Sequence, residues 1–297
     1  MVWSCPVIQG NRLVVPGRDE THDYMFCLHP QTGELLWYDK YELDSKKNYG
    51  QGQRATPTID GESVYTYSRS GYVRSYALYD GALNWEYKIS QAGVEPPEWG
   101  CSGSPLVYND ALILHAGDAA VAVALDKNTG ELLWTSAPAT ACYTTPVLMQ
   151  VNGQDYVVLY LEKFVHFLHP ETGETVWTVE NTEYATDMTV TTPVIHDNLV
   201  FCSNMKGGGS ILIQAAPKPE LLWSSSSIQS YQSNPIIKDG YIYSYSGIAI
   251  QNKGKFVCAD LETGETVWET ERIGHGTSIY ADGHIVCFDI KGNLFLV

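Results

Sequence analysis

A six-residue phrase that recurs along the chain constrains the fold more than any other feature. Thr32-Gly33-Glu34-Leu35-Leu36-Trp37 returns as Thr129-Gly130-Glu131-Leu132-Leu133-Trp134, as Thr172-Gly173-Glu174-Thr175-Val176-Trp177 and as Thr263-Gly264-Glu265-Thr266-Val267-Trp268. Worn copies are Asp80-Gly81-Ala82-Leu83-Asn84-Trp85 and Pro219-Glu220-Leu221-Leu222-Trp223. The tryptophans stand at positions 37, 85, 134, 177, 223 and 268, 43 to 49 residues apart. A period of this length is the mark of a repeated supersecondary unit, and four short strands fill it.

A second marker keeps the same beat. A small or polar residue and a proline open an apolar run, and a two-residue turn closes it. Cys5-Pro6 precedes Gly10-Asn11, Thr56-Pro57 precedes Asp60-Gly61, and Ser104-Pro105 precedes Asn109-Asp110. Thr145-Pro146, Thr192-Pro193 and Asn234-Pro235 lead to Asn152-Gly153, Asp197-Asn198 and Asp239-Gly240, and Thr277-Ser278 leads to Asp282-Gly283. Asn, Asp and Gly tolerate positive φ, so such pairs between apolar runs signal hairpins. In the second repeat the strands are expected near Thr58–Ile59, Val64–Tyr67, Tyr72–Leu78 and Leu83–Tyr87. One such sheet cannot cover both its faces, so its neighbours must. The expected fold is all-β: a single β-propeller domain over residues 1–297, of about seven four-stranded blades. The last blade, from Thr277 to Val297, is incomplete, which points to a three-stranded blade or to a longer parent chain.

Composition narrows the function classes. Tyr (20) and Trp (8) suit strands, and Gly (26) and Pro (14) suit tight turns. The net charge of −16 repels a phosphate backbone and no run of Lys and Arg offsets it, so nucleic acid is not an expected partner. No apolar stretch is long enough for a transmembrane helix, and Met1–Pro6 lacks the basic-then-apolar pattern of a signal peptide. The seven cysteines, Cys5, Cys27, Cys101, Cys142, Cys202, Cys258 and Cys287, form no Cys-x-x-Cys pair and read as isolated, mostly buried thiols. Cys101 and Cys142 hold equivalent places in consecutive repeats, which leaves a disulfide or a shared metal open between them.

The phrase from Val123 to Trp134, Val-Ala-Leu-Asp-Lys-Asn-Thr-Gly-Glu-Leu-Leu-Trp, resembles the tryptophan-docking repeat of the pyrroloquinoline-quinone (PQQ)-like propeller family. The resemblance runs over nearly the whole chain. It implies that Trp37, Trp85, Trp134, Trp177, Trp223 and Trp268 dock between blades. The segments Trp99–Pro105 and Tyr280–His284 look similar to exported proteins of that family, which are likened to an outer-membrane assembly lipoprotein acting as a scaffold. An exported, periplasmic or secreted, life follows from the resemblance alone. Quinoprotein dehydrogenases of the same family are about twice as long and carry adjacent cysteines above the cofactor, which this chain lacks. No cofactor is therefore expected, with PQQ and calcium as the alternative.

Chemistry in a propeller is expected at a mouth of the central channel, where the last strand of one blade leads into the first strand of the next. The residues before each strand-opening proline are Trp3 and Cys5; Tyr49, Gln53 and Arg54; Trp99 and Cys101; Cys142 and Tyr143; Asp187 and Thr189; Tyr231 and Gln232; and Gly274 and His275. From these, Arg54, Trp99, Tyr143, Asp187, Tyr231, Gln232 and His275 form the candidate ligand-binding set. Arg54 would attract a carboxylate or other anion, or pair with a local acid such as Asp187. Trp99 and Tyr231 would stack on a ring ligand, and Asp187 and His275 would move protons. No catalytic or metal-binding constellation is complete. Lys206–Ser210 is glycine-rich without the phosphate-loop pattern and reads as a turn, and Gly17–Asp23 reads as a polar loop whose acids fit no known calcium spacing.

The function read from these residues is a non-catalytic scaffold that binds another protein or peptide. The alternatives are a small-molecule binder or quinoprotein-like oxidoreductase working at the channel mouth, and a structural module of a larger protein.

Overall fold

The computed structural model describes residues 4–42, 52–182, 189–204, 208–231, 233–247 and 254–297. Each repeat folds into an antiparallel sheet whose strands follow one another in sequence, the arrangement of a β-propeller blade. Blade 1 consists of β1 (Val7–Gln9), β2 (Arg12–Arg18), β3 (His22–Leu28) and β4 (Leu35–Glu42). Blade 2 has β5 (Thr58–Asp60), β6 (Ser63–Tyr67), β7 (Tyr72–Ala77) and β8 (Leu83–Lys88). Blade 3 has β9 (Leu106–Tyr108), β10 (Ala111–Gly117), β11 (Ala120–Asp126) and β12 (Leu132–Thr135). Blade 4 has β13 (Val147–Val151), β14 (Gln154–Leu161), β15 (Phe164–Leu168) and β16 (Thr175–Glu180). Blade 5 has β17 (Val194–His196), β18 (Leu199–Ser203), β19 (Ser210–Gln214) and β20 (Glu220–Ser225). Blade 6 has β21 (Ile236–Lys238), β22 (Tyr241–Ser246), β23 (Lys255–Asp260) and β24 (Thr266–Thr270). Blade 7 has three strands, β25 (Gly276–Ala281), β26 (His284–Asp289) and β27 (Leu294–Leu296). The chain divides into two compact units, Met1–Pro146 with His169–Thr175, and Val147–Leu168 with Val176–Val297.

The turn pairs behave as their chemistry requires. Asn109, Asn152, Asp197, Asp239 and Asp282 all have φ near +50°, the left-handed region that short polar side chains tolerate. Blade 2 departs from the expectation by one residue. Asp60 pairs with Ser63 inside the sheet, so the turn is Gly61-Glu62, with the positive φ on Gly61. The segment Gly17–Asp23 is also mostly strand rather than loop, because Gly17 and Arg18 pair with Tyr24 and Asp23. Only 19–21 form the turn, where the Asp19 carboxylate accepts the Thr21 and His22 backbone N–H groups and the Tyr24 hydroxyl. Of the glycine-rich segment, Ser210 begins β19 and Gly209 turns at φ +58°, while Lys206 and Gly207 lie outside the described residues.

The core sits in the second and third strands of each blade. Every residue of β10 is buried, as are all of β11 but its last. These strands show no alternation, as expected of strands buried on both faces. In the first unit, Tyr65, Tyr67, Val73 and Trp85 of blade 2 pack with Leu112, Leu114, Val123 and Leu125 of blade 3. In the second unit, Val158, Tyr160 and Phe167 of blade 4 pack with Val200, Cys202 and Ile211 of blade 5. Blade 7 keeps the two-residue alternation of a sheet with one covered face. Ile285 and Cys287 pack on Tyr245 and Phe256 of blade 6, while the other face is open.

The recurring glycine and tryptophan form a joint between consecutive blades. The indole N–H of Trp37 donates to the Leu78 carbonyl, that of Trp85 to Lys127, that of Trp134 to Pro170 and that of Trp223 to Leu261, at 2.8–3.0 Å. Each ring lies against the turn glycine of the next repeat. A Cβ on Gly81, Gly130 or Gly264 would fall 2.6, 2.7 or 2.9 Å from the tryptophan ring. Trp177 meets Tyr156 tilted and Phe167 edge-on in its own blade and packs, like Ala216, against the blade 4–blade 5 core, but has no indole acceptor among the described residues. The turn it faces, Ala215–Pro219, lacks the glycine. Trp268 is 38% exposed and, among the described residues, its aromatic neighbours are Tyr243 and Phe256 of its own blade.

The proline marker serves a second joint that the sequence does not announce. The residue before the proline accepts, on its side chain, the backbone N–H of its counterpart one blade earlier. Cys5 N–H donates to Thr56 Oγ1, Thr56 N–H to Ser104 Oγ and Ser104 N–H to Thr145 Oγ1, each at 3.0 Å. In the second unit Thr192 N–H donates to Asn234 Oδ1 at 3.3 Å. The small polar residue is therefore a hydrogen-bond acceptor by position, which explains why Thr, Ser and Asn fill it.

Candidate functional site

The residues expected at the channel mouth fall into both units. Arg54, Trp99 and Tyr143 belong to the first, Tyr231 and His275 to the second, and Asp187 and Gln232 lie outside the described residues.

In the first unit the loops entering blades 2, 3 and 4 gather around one carbonyl. Arg54 Nη1 donates to the Trp99 carbonyl, and Arg69 Nε donates to the same oxygen at 3.2 Å. The Trp99 ring stacks on Tyr143 with centroids 5.5 Å apart, and the Trp99 backbone N–H donates to the Tyr143 hydroxyl at 3.4 Å. Burial raises the Tyr143 phenol above its ordinary range. Gly100, at φ +82°, lets the chain pass the Arg69 carbonyl, from which a Cβ would stand 2.7 Å. The Cys101 N–H then donates to that carbonyl at 2.9 Å. Arg54 thus ties a loop to its neighbour through that carbonyl. Trp99 and Tyr143 stack on each other within the first unit. Beside them Gln53 is fully buried, and neither atom of its amide has a partner.

Cys101 and Cys142 are buried and not joined in a disulfide; four further cysteines are buried, and Cys5 is exposed. The Tyr67 hydroxyl hydrogen-bonds the Cys101 thiol, and burial pushes that thiol up to about 12. Among the described residues, no group of three or more His, Cys, Asp and Glu could hold a metal.

A charged cluster on blades 1 and 2 carried no motif. The Arg74 guanidinium lies over Tyr41 at 4.0 Å and over Tyr72 at 5.0 Å, and pairs with Glu86 at 2.6 Å. Asp23, 7% exposed, sits near it. Desolvation raises the Asp23 carboxyl, and the nearby Arg18, Arg69 and Arg74 hold the rise back. These residues alternate with apolar ones along β3 and β7, a pattern that reads as ordinary strand.

In the second unit Tyr231 lends its backbone: its carbonyl and that of Ser230 accept the Thr191 hydroxyl. Around it runs a buried hydroxyl network. The Ser210 hydroxyl donates to the Ile228 carbonyl at 2.8 Å and meets the Ser203 hydroxyl at 3.0 Å, the Ser230 N–H donates to Ser203 Oγ, and Ser230 and Ser244 hydroxyls meet. Its groups satisfy one another, so it holds loops together rather than awaiting a substrate.

His275 is placed differently. It is 8% exposed, stacks against Tyr245 at 6.4 Å, and its carbonyl accepts the Ile290 N–H at 2.8 Å. Gly254 lies flush with the ring, where a Cβ would come 2.9 Å from Cγ. Burial lowers the imidazole below its ordinary range, and a hydrogen bond with the Gly247 backbone opposes the shift. Nε2 is buried without a partner. His275 lines a cavity of about 400 Å³ together with Lys255, Glu271, Arg272, Asp289 and Lys291.

Comparison with known proteins places this architecture. The chain is 22% identical over 293 residues to the outer membrane protein assembly factor BamB of Moranella endobia, covering 91% of this chain and 67% of that protein. It is 25% identical over 122 residues to a tetrathionate hydrolase of Acidithiobacillus ferrooxidans, covering 38% of this chain and 24% of the hydrolase. The crystal structure of BamB from Moraxella catarrhalis superposes with a TM-score of 0.71 at 15% identity, covering 98% of this chain and 84% of that one. That likeness shows the fold. Residues 21–270 match the family described as outer membrane protein assembly factor BamB, and this chain, with its PQQ-like repeats and docked tryptophans, belongs to that family.

Proposed function

We propose that the protein is a non-catalytic scaffold of an exported assembly, and that blade 7 is the face it offers to a partner protein. The observation that carries this reading is the open face of that blade. Ile279, Val286, Phe288, Leu294 and Leu296 share one side of the sheet through the pairs Ile279–Val286, Val286–Leu296 and Phe288–Leu294. Ile279, Phe288, Leu294 and Leu296 are 50–67% exposed. A contiguous apolar sheet face of this kind marks an interaction site more than a packing accident. Among the described residues β27 pairs with β26. Trp268 stands uncovered on the neighbouring blade. Family membership supports the scaffold role and an envelope location. The mutual stacking of Trp99 and Tyr143, and the tie made by Arg54, weigh against chemistry at that mouth.

The test is a double variant, Leu294→Ser with Leu296→Ser, compared with wild type by cross-linking in an envelope extract. The scaffold reading expects unchanged circular dichroism and thermal midpoint, with loss of the principal cross-linked protein. The same cross-linked species in both would overturn it.

A further inference from the structure

The docked tryptophans define what their sockets take. In each docked joint the carbonyl that accepts the indole N–H stands three residues before the turn glycine: Leu78 before Gly81, Lys127 before Gly130, Pro170 before Gly173 and Leu261 before Gly264. Those glycines share φ between +71° and +76°. An aspartate shapes the turn, as where Asp260 accepts the Glu262 and Thr263 N–H groups at 3.0 and 2.9 Å. The element that docks is therefore a backbone carbonyl followed by a left-handed glycine turn.

Trp268 holds the pose of a docked tryptophan without that element. Trp223 meets Phe201 at 6.0 Å and 57°, and Trp268 meets Tyr243 at 6.2 Å and 56°. Trp223 lies across from Leu212 and Trp268 across from Cys258, and the register shifts at the next residue of both strands. The fourth strand of blade 6 is thus built to the plan of the fourth strand of blade 5. What differs is the cover. Trp268 is 38% exposed, against 7% and 9% for the docked Trp37 and Trp85. Val297 exchanges backbone hydrogen bonds with Ile285 where Ala259 pairs with Ile242, so β27 corresponds to β23. Among the described residues blade 7 supplies no counterpart of the Asp260–Glu265 turn.

The ground around Trp268 is aromatic. Tyr241, 38% exposed, lies 6.4 Å from Tyr243, which meets the indole. Their counterparts in blade 5, Leu199 and Phe201, pack in one cluster with Leu261, the residue that lends Trp223 its carbonyl. The same ground therefore suits an apolar side chain together with a carbonyl.

We propose that Trp268, Tyr241 and Tyr243 form a socket for a glycine turn of a partner protein: an apolar residue whose carbonyl meets the Trp268 indole N–H, two further residues, and a glycine under the ring. The proposal rests on the scaffold reading in taking the turn from a partner, and it names what that partner brings to the border of blades 6 and 7. The ring already stands in the docked pose, so binding orders little that was free.

The probe is the blocked peptide Asp260–Val267 of this chain, Asp-Leu-Glu-Thr-Gly-Glu-Thr-Val, which holds the turn and no tryptophan. Nuclear magnetic resonance of the isotope-labelled indole N–H groups of the full chain follows its binding, with the Trp268 signal assigned by its absence from Trp268→Phe. A saturable shift of that signal is expected, with the other indole signals in place. By calorimetry, the peptide carrying Gly264→Val is expected to bind about tenfold more weakly. The unaltered peptide should bind Trp268→Phe about fivefold more weakly than wild type. No saturable shift up to about 5 mM peptide, or equal binding of the two peptides, would overturn the socket. A wild-type dimer in sedimentation that Trp268→Ala returns to monomer would assign the socket to a second copy and overturn the choice of partner. If the peptide does not bind while the Leu294→Ser, Leu296→Ser variant still loses its cross-linked protein, the socket falls and the scaffold stands. If the peptide binds and the cross-linked species is unchanged, the scaffold falls and the turn chemistry of the socket stands.

Discussion

Trp223 donates its indole N–H to the carbonyl of Leu261 at 3.0 Å, so a side chain of blade 5 completes the backbone of blade 6. Gly264, three residues on, lies under the same ring. Changing Gly264 to Val puts a branched side chain at φ +71° against the indole and is expected to destabilise the protein by about 3 kcal/mol. Trp223→Phe removes the hydrogen bond and part of the ring and is expected to cost about 1–2 kcal/mol. Trp268→Phe, at the exposed tryptophan, is expected to change stability by no more than about 0.5 kcal/mol. Urea denaturation of the three variants checks the order, and a Trp268 effect as large as that of Trp223 would contradict it.

The joint at the prolines yields a second expectation. In Ser104→Ala the Thr56 N–H loses its acceptor. A cost of about 1–2 kcal/mol follows, and Ser104→Thr should recover most of it. Ser225 offers a control: its hydroxyl donates to the Gly264 carbonyl at a half-exposed position, and Ser225→Ala should cost less.

Stability should fall on mild acidification. Burial holds His115 and His166 down to about 4, against an ordinary value of 6.5. The unfolded chain takes up a proton at each site as pH drops through 6.5, while the native ring stays neutral until about 4. Their contribution is therefore whole above 6.5 and is lost progressively toward 4. For the fully enclosed His115 the loss is on the order of 3 kcal/mol, and less for the partly exposed His166. Denaturation midpoints of His115→Gln between about pH 7.5 and 4.5 should show a shallower decline than wild type. Parallel curves would show that His115 carries none of it.

Thiol chemistry should be equally selective. Cys5 is exposed and the other six cysteines are buried, with Cys27, Cys101, Cys202, Cys258 and Cys287 all raised by burial. A thiol reagent is expected to modify Cys5 alone in the native protein and all seven cysteines after denaturation. Cys5→Ser should abolish native labelling. Rapid modification of Cys101 or Cys142 would mean that the blade interfaces open readily.

The blades were legible because their signals are local. A turn residue with positive φ and an apolar run are read over a few positions, and the seven copies reinforce one another. The slip at Asp60 shows the limit: the residue type allows the turn at either place, and the pairing with Ser63 decides it. Side-chain destinations were less legible. The bond from Arg54 to the Trp99 carbonyl, 45 residues away, has no local signal in the sequence. The cavity by His275 draws Arg272 and Lys291 from separate connections, neither with a motif, so only the packing of blades 6 and 7 brings them together. Asp187 and Gln232 fall outside the described residues, and their expected roles stand as proposals.

Both joints, the tryptophan on its glycine and the N–H on its hydroxyl, run from one blade to the next and reach no further. Where the joints are complete, a repeat therefore carries half of each of two recurring sockets. Duplication or loss of a whole repeat would leave every remaining socket matched, since the half that departs at one border is the half that the next repeat supplies. Substitutions inside a socket have no such freedom. A chain built in this way evolves readily by counting repeats and reluctantly by altering the border between them.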